Sequence, residues 1–452
     1  MGRILFYSTN DRARAAAGID FADALMQGLA PDKGLYMLDR AALPRISDAD
    51  LRAFASMPYA DIAHRVIRPF IEGRIPDDEL RALCHNAYDF DVPLESYADA
   101  AWLMRLDRGP TASFKDFAAR MMARLTQYFL RQQRRSATIL TATSGDTGGA
   151  VAAAFHGLDH VRVVVLFPGA EVSARQRRQM TTLGGNVFAI DIDGKFDDCQ
   201  ALVKQAFVDP ELRDCELTSA NSINVGRLIP QTVYYVYAAC RIAAPPRRPL
   251  CVCVPSGNFG NLMGGLLAKA MGAPIHRFVA AVNENDEVPV YLRTADYRPV
   301  VPSRNCLSNA MNVGHPSNLA RLVALYGGNM DDTGVVHREP DMEAIRRDIL
   351  SVEVTDAETR DAIGEAWERH RMILEPHGAV GYKAIEKLNA GPCTTLLLET
   401  AHPAKFPEVV REVIGVDPDL PESMKRSEAL PEAKRSCPAD YEAFRSLLRQ
   451  LL

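Results

Sequence analysis

From residue 137 the chain repeats one pattern: a short apolar run, then an amphipathic stretch. ATILTA (137–142) precedes SGDTGGAVAAAF, VRVVVLF (161–167) precedes SARQRRQMTTLGG, and NVFAIDI (186–192) precedes FDDCQALVKQAF. CELTSA follows as a short strand, then RLIPQTVYYVYAACRI as one helix with Pro230 in its early turns. LCVCVP (250–255), NLMGGLLAKAMG and RFVAAV continue the alternation, and TTLLLET (394–400) reads as a last strand. Runs without a polar face predict strands buried on both sides, and the stretches at helical spacing between them supply the cover. The predicted class is therefore α/β, with open, mainly parallel sheets and helices on both faces.

The flanks differ. Residues 1–95 predict a mostly helical region, with GIDFADALMQGL and DADLRAFASM spaced near 3.6 and acidic residues near their starts. Residues 285–345 are rich in Asn, Pro and Gly and are expected to be an irregular insert or lid, with helix returning over 355–390 and a charged helical tail over 417–452. The arginine run at 175–178 is expected to be a solvated helix face.

Composition narrows the function more than the fold. The 452 residues are 47% hydrophobic and 24% charged, with a net charge of −5 and basic residues spread along the chain, so nucleic acid is not the expected partner. No apolar run approaches membrane-spanning length, and the amino-terminal residues turn polar too soon for a secretory signal. The nine cysteines form no Cys-x-x-Cys pair and the ten histidines no ligand set, so a structural metal is not expected and a reducing, cytoplasmic setting is.

Candidate chemistry begins at GPTASFKDFAAR (109–120), which sets Lys115 behind a turn-rich lead-in. The bland reading is a surface helix capped by Ser113 with Lys115 in water. Two strands, however, end in glycine-rich turns that open helices, TATSGDTGGA (141–150) and VPSGNFGNLMGG (254–265). Such junctions point free amides and a helix dipole at an anion. Neither is G-x-G-x-x-G or a Walker turn, which disfavours a dinucleotide or ATP. A lysine for an aldehyde and a cradle for a phosphate fit pyridoxal phosphate instead.

With GPTASFKDFAAR, TATSGDTGGAV, NSINVGR, VPSGNFGNLMGGLLAK, LSNAMNV and ETAHPAKFPEVV in order, the chain resembles the threonine synthases, pyridoxal-phosphate enzymes of the tryptophan-synthase-β type (fold type II). The resemblance implies a helical amino-terminal domain (1–95), a cofactor-binding region of two α/β subdomains (96–410, the smaller about 130–235) and a helical tail (411–452) packed on it. It implies that Lys115 bonds the cofactor aldehyde and that Gly257, Asn258, Phe259, Gly260 and Asn261 hold the cofactor phosphate. Asp146 would lie by the ring hydroxyl and Thr400 at the ring nitrogen. Ser144, Gly145 and Thr147 would take the substrate carboxylate, and Ser222, Arg227 and Asn261 the phosphate of a small phosphorylated amino acid. A monomer or homodimer is expected.

One segment departs from the family. Where its members usually read Glu-Leu-aromatic-His before GPT, this chain has Arg105, Leu106, Asp107 and Arg108. The reaction the resemblance implies turns O-phospho-L-homoserine and water into L-threonine and phosphate. The departure keeps three alternatives open: a phospholyase releasing 2-oxobutyrate, a paralogue acting on another phosphorylated or phosphonate amino acid, and a non-catalytic binding protein.

Overall fold

The computed structural model describes residues 3–242, 248–388 and 391–452. The ends of two expected segments, residues 1–2 and 389–390, lie outside the described residues.

Two sheets carry the fold. The larger has six strands in the order 349–353, 277–282, 250–255, 394–399, 101–105 and 94–98, all parallel except the last. The smaller has five in the order 435–438, 187–193, 161–168, 137–142 and 217–218, all parallel. The strands at 137–142 and 250–255 have the expected bounds.

Successive side chains of a strand point to opposite faces, and the cores divide accordingly. Ile139, Val163 and Ala189 join the main core, while their neighbours Leu140, Val164 and Ile190 pack with Leu202, Phe444 and Leu448. In the larger sheet Val252, Phe278 and Leu398 face the main core, and Cys253, Val279 and Leu397 face Ile363, Leu374 and Val380. The doubly apolar runs thus reflect helices on both faces.

The amino-terminal region is mostly helical, with helices at 21–27, 48–54, 59–71 and 77–87 and a small antiparallel pair, 6–8 with 36–38. Its aromatic residues seat the helix that begins at Lys115. Phe117, fully buried on that helix, meets Tyr59 at 5.5 Å, Phe90 at 5.1 Å and Tyr234 at 5.4 Å between ring centroids.

Several expectations need correction. The stretch 285–345 is irregular only in part: residues 295–318 hold a single 3-10 turn, but helices Glu287–Thr294, Leu319–Leu325 and Met342–Asp348 and a short antiparallel pair flank it. These helices have seven or eight residues, too few for an amphipathic period to stand out among the Asn, Pro and Gly residues. The tail is not wholly helical, since Arg435–Pro438 adds an edge strand to the smaller sheet, with only Cys437 of its residues buried. The helix expected around Pro230 is interrupted: Ile229–Gln231 is a 3-10 turn between helices 225–228 and 232–242, where proline cannot donate an α-helical hydrogen bond. The arginines of the 175–178 run are not merely solvated. Arg175 pairs with Glu428 at 3.0 Å and Arg177 with Glu432 at 2.9 Å, fastening the tail.

Phe117→Ala should destabilise the chain by about 3–5 kcal/mol through a cavity under the Lys115 helix. The urea midpoint measures this; an unchanged midpoint would show that the aromatic cluster does not hold the helix.

Candidate active site

Four strands end at one crevice, and each continues into a segment named above. Strand 101–105 leads to Lys115, 137–142 to the 143–148 turn, 250–255 to the 256–261 turn, and 394–399 to Thr400. Ligands of open parallel sheets bind beyond the carboxyl ends of strands.

Lys115 opens its helix with Phe114, not Ser113, at the cap position. Its side chain is 11% exposed, its Nζ stands 3.3 Å from Asp146 Oδ2, and it lies over the Phe114 ring. The solvated reading is therefore wrong. The amide of Phe114 donates to the Thr400 carbonyl at 2.9 Å, and Ser113 bridges to Ala401, so the lysine is pinned to the end of the last strand. Burial lowers the Lys115 amine below the usual lysine range; Asp146 opposes this, and the cations Lys405 and Arg227 add to it.

Asp146 begins its helix and is buried. Its Oδ1 accepts from Gln176 Nε2 at 2.9 Å and pairs with Lys405 Nζ at 2.6 Å. Burial alone would raise its carboxyl, but Lys405, Lys115 and His377 outweigh burial and hold it well below the usual range. In the preceding turn, Thr143 Oγ1 accepts from the amides of Gly145 and Gly148, at 2.9 and 2.8 Å. Gly145 has φ 133°, and a Cβ there would lie 2.6 Å from Gln176. The amides of Ser144 and Thr147 make no hydrogen bond among the described residues and can meet an anion.

The second turn is built as tightly. A Cβ on Gly257 would lie 2.7 Å from Met311 Cα, and Phe259 takes a left-handed φ of 58° before Gly260 opens the helix. Asn258 links Ser222 to Ser317: its Nδ2 donates to Ser222 Oγ at 2.5 Å, and its Oδ1 accepts from the Ser317 amide at 2.7 Å. Asn261 Oδ1 accepts from the hydroxyls of Tyr234 and Tyr235, both at 2.6 Å, which leaves its buried Nδ2 without a partner. Arg227 is buried, donates Nη1 to the Ala220 carbonyl at 2.7 Å, and has an unpartnered Nε. No carboxylate pairs with it among the described residues, and burial lowers its guanidinium to about 10. Unpartnered buried donors beside a glycine turn fit phosphate, so the residues present suit pyridoxal phosphate and a phosphorylated substrate.

The departing segment closes on itself. Arg105 Nε donates to the buried Asp107 Oδ1 at 2.9 Å, and Arg108 lies 3.9 Å from both Asp107 and Glu95. With Tyr97, Arg371 and His402 the two arginines line a cleft of about 520 Å³. Burial holds the His402 imidazole down to about 4, so it stays neutral near pH 7.

The sequence reading assigned no role to Lys405, Gln176 or Thr143. Lys405 lies within the quoted ETAHPAKFPEVV, but nothing in its spacing marks a lysine that is wholly buried.

This is the crevice of a pyridoxal-phosphate-dependent enzyme of fold type II. The pyridoxal-phosphate-dependent enzyme family matches residues 92–397, with the threonine synthase N terminus at 5–88 and the threonine synthase C-terminal family at 378–448. The threonine synthase of Haemophilus influenzae is 38% identical over 431 residues, 95% of this chain and 96% of that protein. The crystal structure of PLP-bound threonine synthase from Brucella melitensis superposes with a TM-score of 0.91 at 34% identity, covering 99% of both chains. That of Escherichia coli threonine synthase gives 0.88 at 37% identity, covering 99% of this chain and all of that one. The chain belongs to the threonine synthase family.

Gly257→Ala should force the 257–261 turn off the Met311 backbone at a cost of about 1–3 kcal/mol. Cofactor affinity should fall about tenfold, read as visible absorbance lost on dialysis; undiminished retention would place the phosphate elsewhere.

Proposed function

We propose that this chain converts O-phospho-L-homoserine and water to L-threonine and phosphate, with pyridoxal phosphate bonded at Lys115. The observation that carries the reading is Arg227, a buried guanidinium without a carboxylate partner among the described residues, whose charge is felt at Lys115. A substrate that brings its own phosphate supplies the missing anion. No disulfide joins the cysteines among the described residues, which supports a reducing, cytoplasmic setting. No helix among the described residues is long and apolar enough to cross a membrane. The family matches meet between residues 88 and 92, which supports the division near 95; the divisions 96–410 and 411–452 complete the reading, with the match at 378–448 running across position 410.

The cofactor supplies an electron sink for charge that develops on substrate carbons. The chain supplies the rest. Lys115 is buried against Phe114 and Asp146, so it can be neutral and take the proton from the substrate α-carbon, then return a proton further along the chain. The free amides of Ser144 and Thr147 hold the α-carboxylate, which aims the α-proton at Lys115, while the Gly145 amide stays hydrogen-bonded to Thr143 and shapes the turn. Ser222, Arg227 and Asn261 hold the substrate phosphate before and after it leaves the γ-carbon. The 257–261 turn would hold the cofactor phosphate, Asp146 would lie by the ring hydroxyl, and Thr400 would offer a neutral hydroxyl to the ring nitrogen. Water then adds at the β-carbon.

The pairing of Arg105 with Asp107 supports a structural role for that pair within the departing segment. Incubation with O-phosphohomoserine should release threonine and phosphate in equal amounts. Mostly 2-oxobutyrate would make the enzyme a phospholyase, and no phosphate would point to another substrate. Arg227→Ala removes a charge-assisted contact worth about 2–5 kcal/mol. It should lower kcat/KM at least about tenfold while cofactor affinity holds. An unchanged kcat/KM would move the substrate phosphate away from Arg227.

A further inference from the structure

Two lysines, not one, reach Asp146. Lys405 is fully buried, contacts Asp146 Oδ1 at 2.6 Å and donates to the Thr111 carbonyl at 3.0 Å. Lys115 has one longer contact, 3.3 Å to Oδ2, and lies over an aromatic ring. The turn that carries Lys405 is rigid: His402 Nδ1 accepts from the Ala404 amide at 3.1 Å, and the His402 amide donates to the Ala112 carbonyl at 3.0 Å.

We infer that Lys405 is a positioning residue of this site: it takes up the charge of Asp146 and so leaves Lys115 as the amine that gives up its proton. This rests on the reading of Lys115 as the cofactor lysine.

With all three groups ionised, the cluster holds one excess positive charge out of water, and losing a single proton makes it neutral. The geometry decides which ammonium yields. Lys405 has the shorter ion pair and a second acceptor; Lys115 has the longer contact and the weaker hold. The surrounding charges agree. Lys115 faces Asp146, Lys405 and, from helix 225–228, Arg227. Asp146 faces the two lysines and, from helix 376–388, His377. Lys405 also faces Asp116, whose carboxylate accepts from the amide and hydroxyl of Thr111 at 2.8 and 2.7 Å, and it faces His402. Removing Lys405 would hand the whole Asp146 charge to Lys115 and strengthen its grip on its proton.

The test follows pyridoxal phosphate capture by the full-length chain stripped of cofactor, read by visible absorbance across pH. Only the neutral amine attacks the aldehyde, so the capture midpoint follows the Lys115 proton. Lys405→Met should move that midpoint up by about one pH unit, which slows capture about tenfold on the acid side. Lys405→Arg should restore the wild-type midpoint. Asp146→Asn, which removes the anion, should move the midpoint down. An unmoved midpoint in Lys405→Met, or Lys405→Arg shifted as far as Lys405→Met, overturns the role of Lys405. If Lys405→Met does not fold, an Asp146→Asn midpoint that stays or rises overturns it. Capture needs no substrate, so a product other than threonine leaves this result standing. A wild-type chain that captures no cofactor at any pH overturns the reading of Lys115 itself.

Discussion

One carboxylate between two ammonium groups organises this crevice. Asp146 is out of water and stays charged because Lys405 and Lys115 lie on either side of it, with Gln176 donating to it as well. Each partner comes from a different part of the chain: the helix after strand 101–105, the turn after strand 394–399, and the helix Ala174–Thr181 that also anchors the tail. The smaller sheet supplies the acid and the larger sheet both bases, so the cluster also joins the sheets. A buried charge without such partners would cost several kcal/mol.

The phosphate side obeys the opposite rule. There the chain leaves its cations unpaired. Arg227 has no carboxylate partner among the described residues, and Arg321, wholly buried, donates only to neutral oxygens, among them the carbonyls of Ser222 and Ile223 at 3.0 and 2.6 Å. Burial lowers the Arg321 guanidinium to about 9. Protein anions compensate the lysine side of the crevice, and on the proposed function the phosphate of the substrate would compensate Arg227. The two glycine turns serve this division: one presents Asp146 at a helix start, and the other brings backbone against the Met311 segment.

The sheets were legible because parallel strands buried on both faces leave short, β-branched-rich apolar runs bounded by turn residues, in regular alternation with longer helical stretches. Strand 250–255 is legible for this reason, and edge strand 435–438 is not, since only Cys437 in it is buried. The hairpin 94–105 escaped notice because its first strand is largely exposed and carries no apolar run. In the crevice, motif order pointed to Lys115, Asp146 and both turns. Lys405 stayed hidden because burial of a lysine depends on a partner about 260 positions away in the chain, which no local pattern encodes. The Arg105–Asp107 pair was visible only as a departure, and only its geometry showed one charge answering the other.

The most direct measurement is borohydride reduction of the holoenzyme followed by peptide mapping. The expected result is a single reduced pyridoxyl group on Lys115, in the peptide containing GPTASFKDF. A pyridoxyl group on Lys405 instead would reverse the roles of the two buried lysines and contradict the account of this crevice.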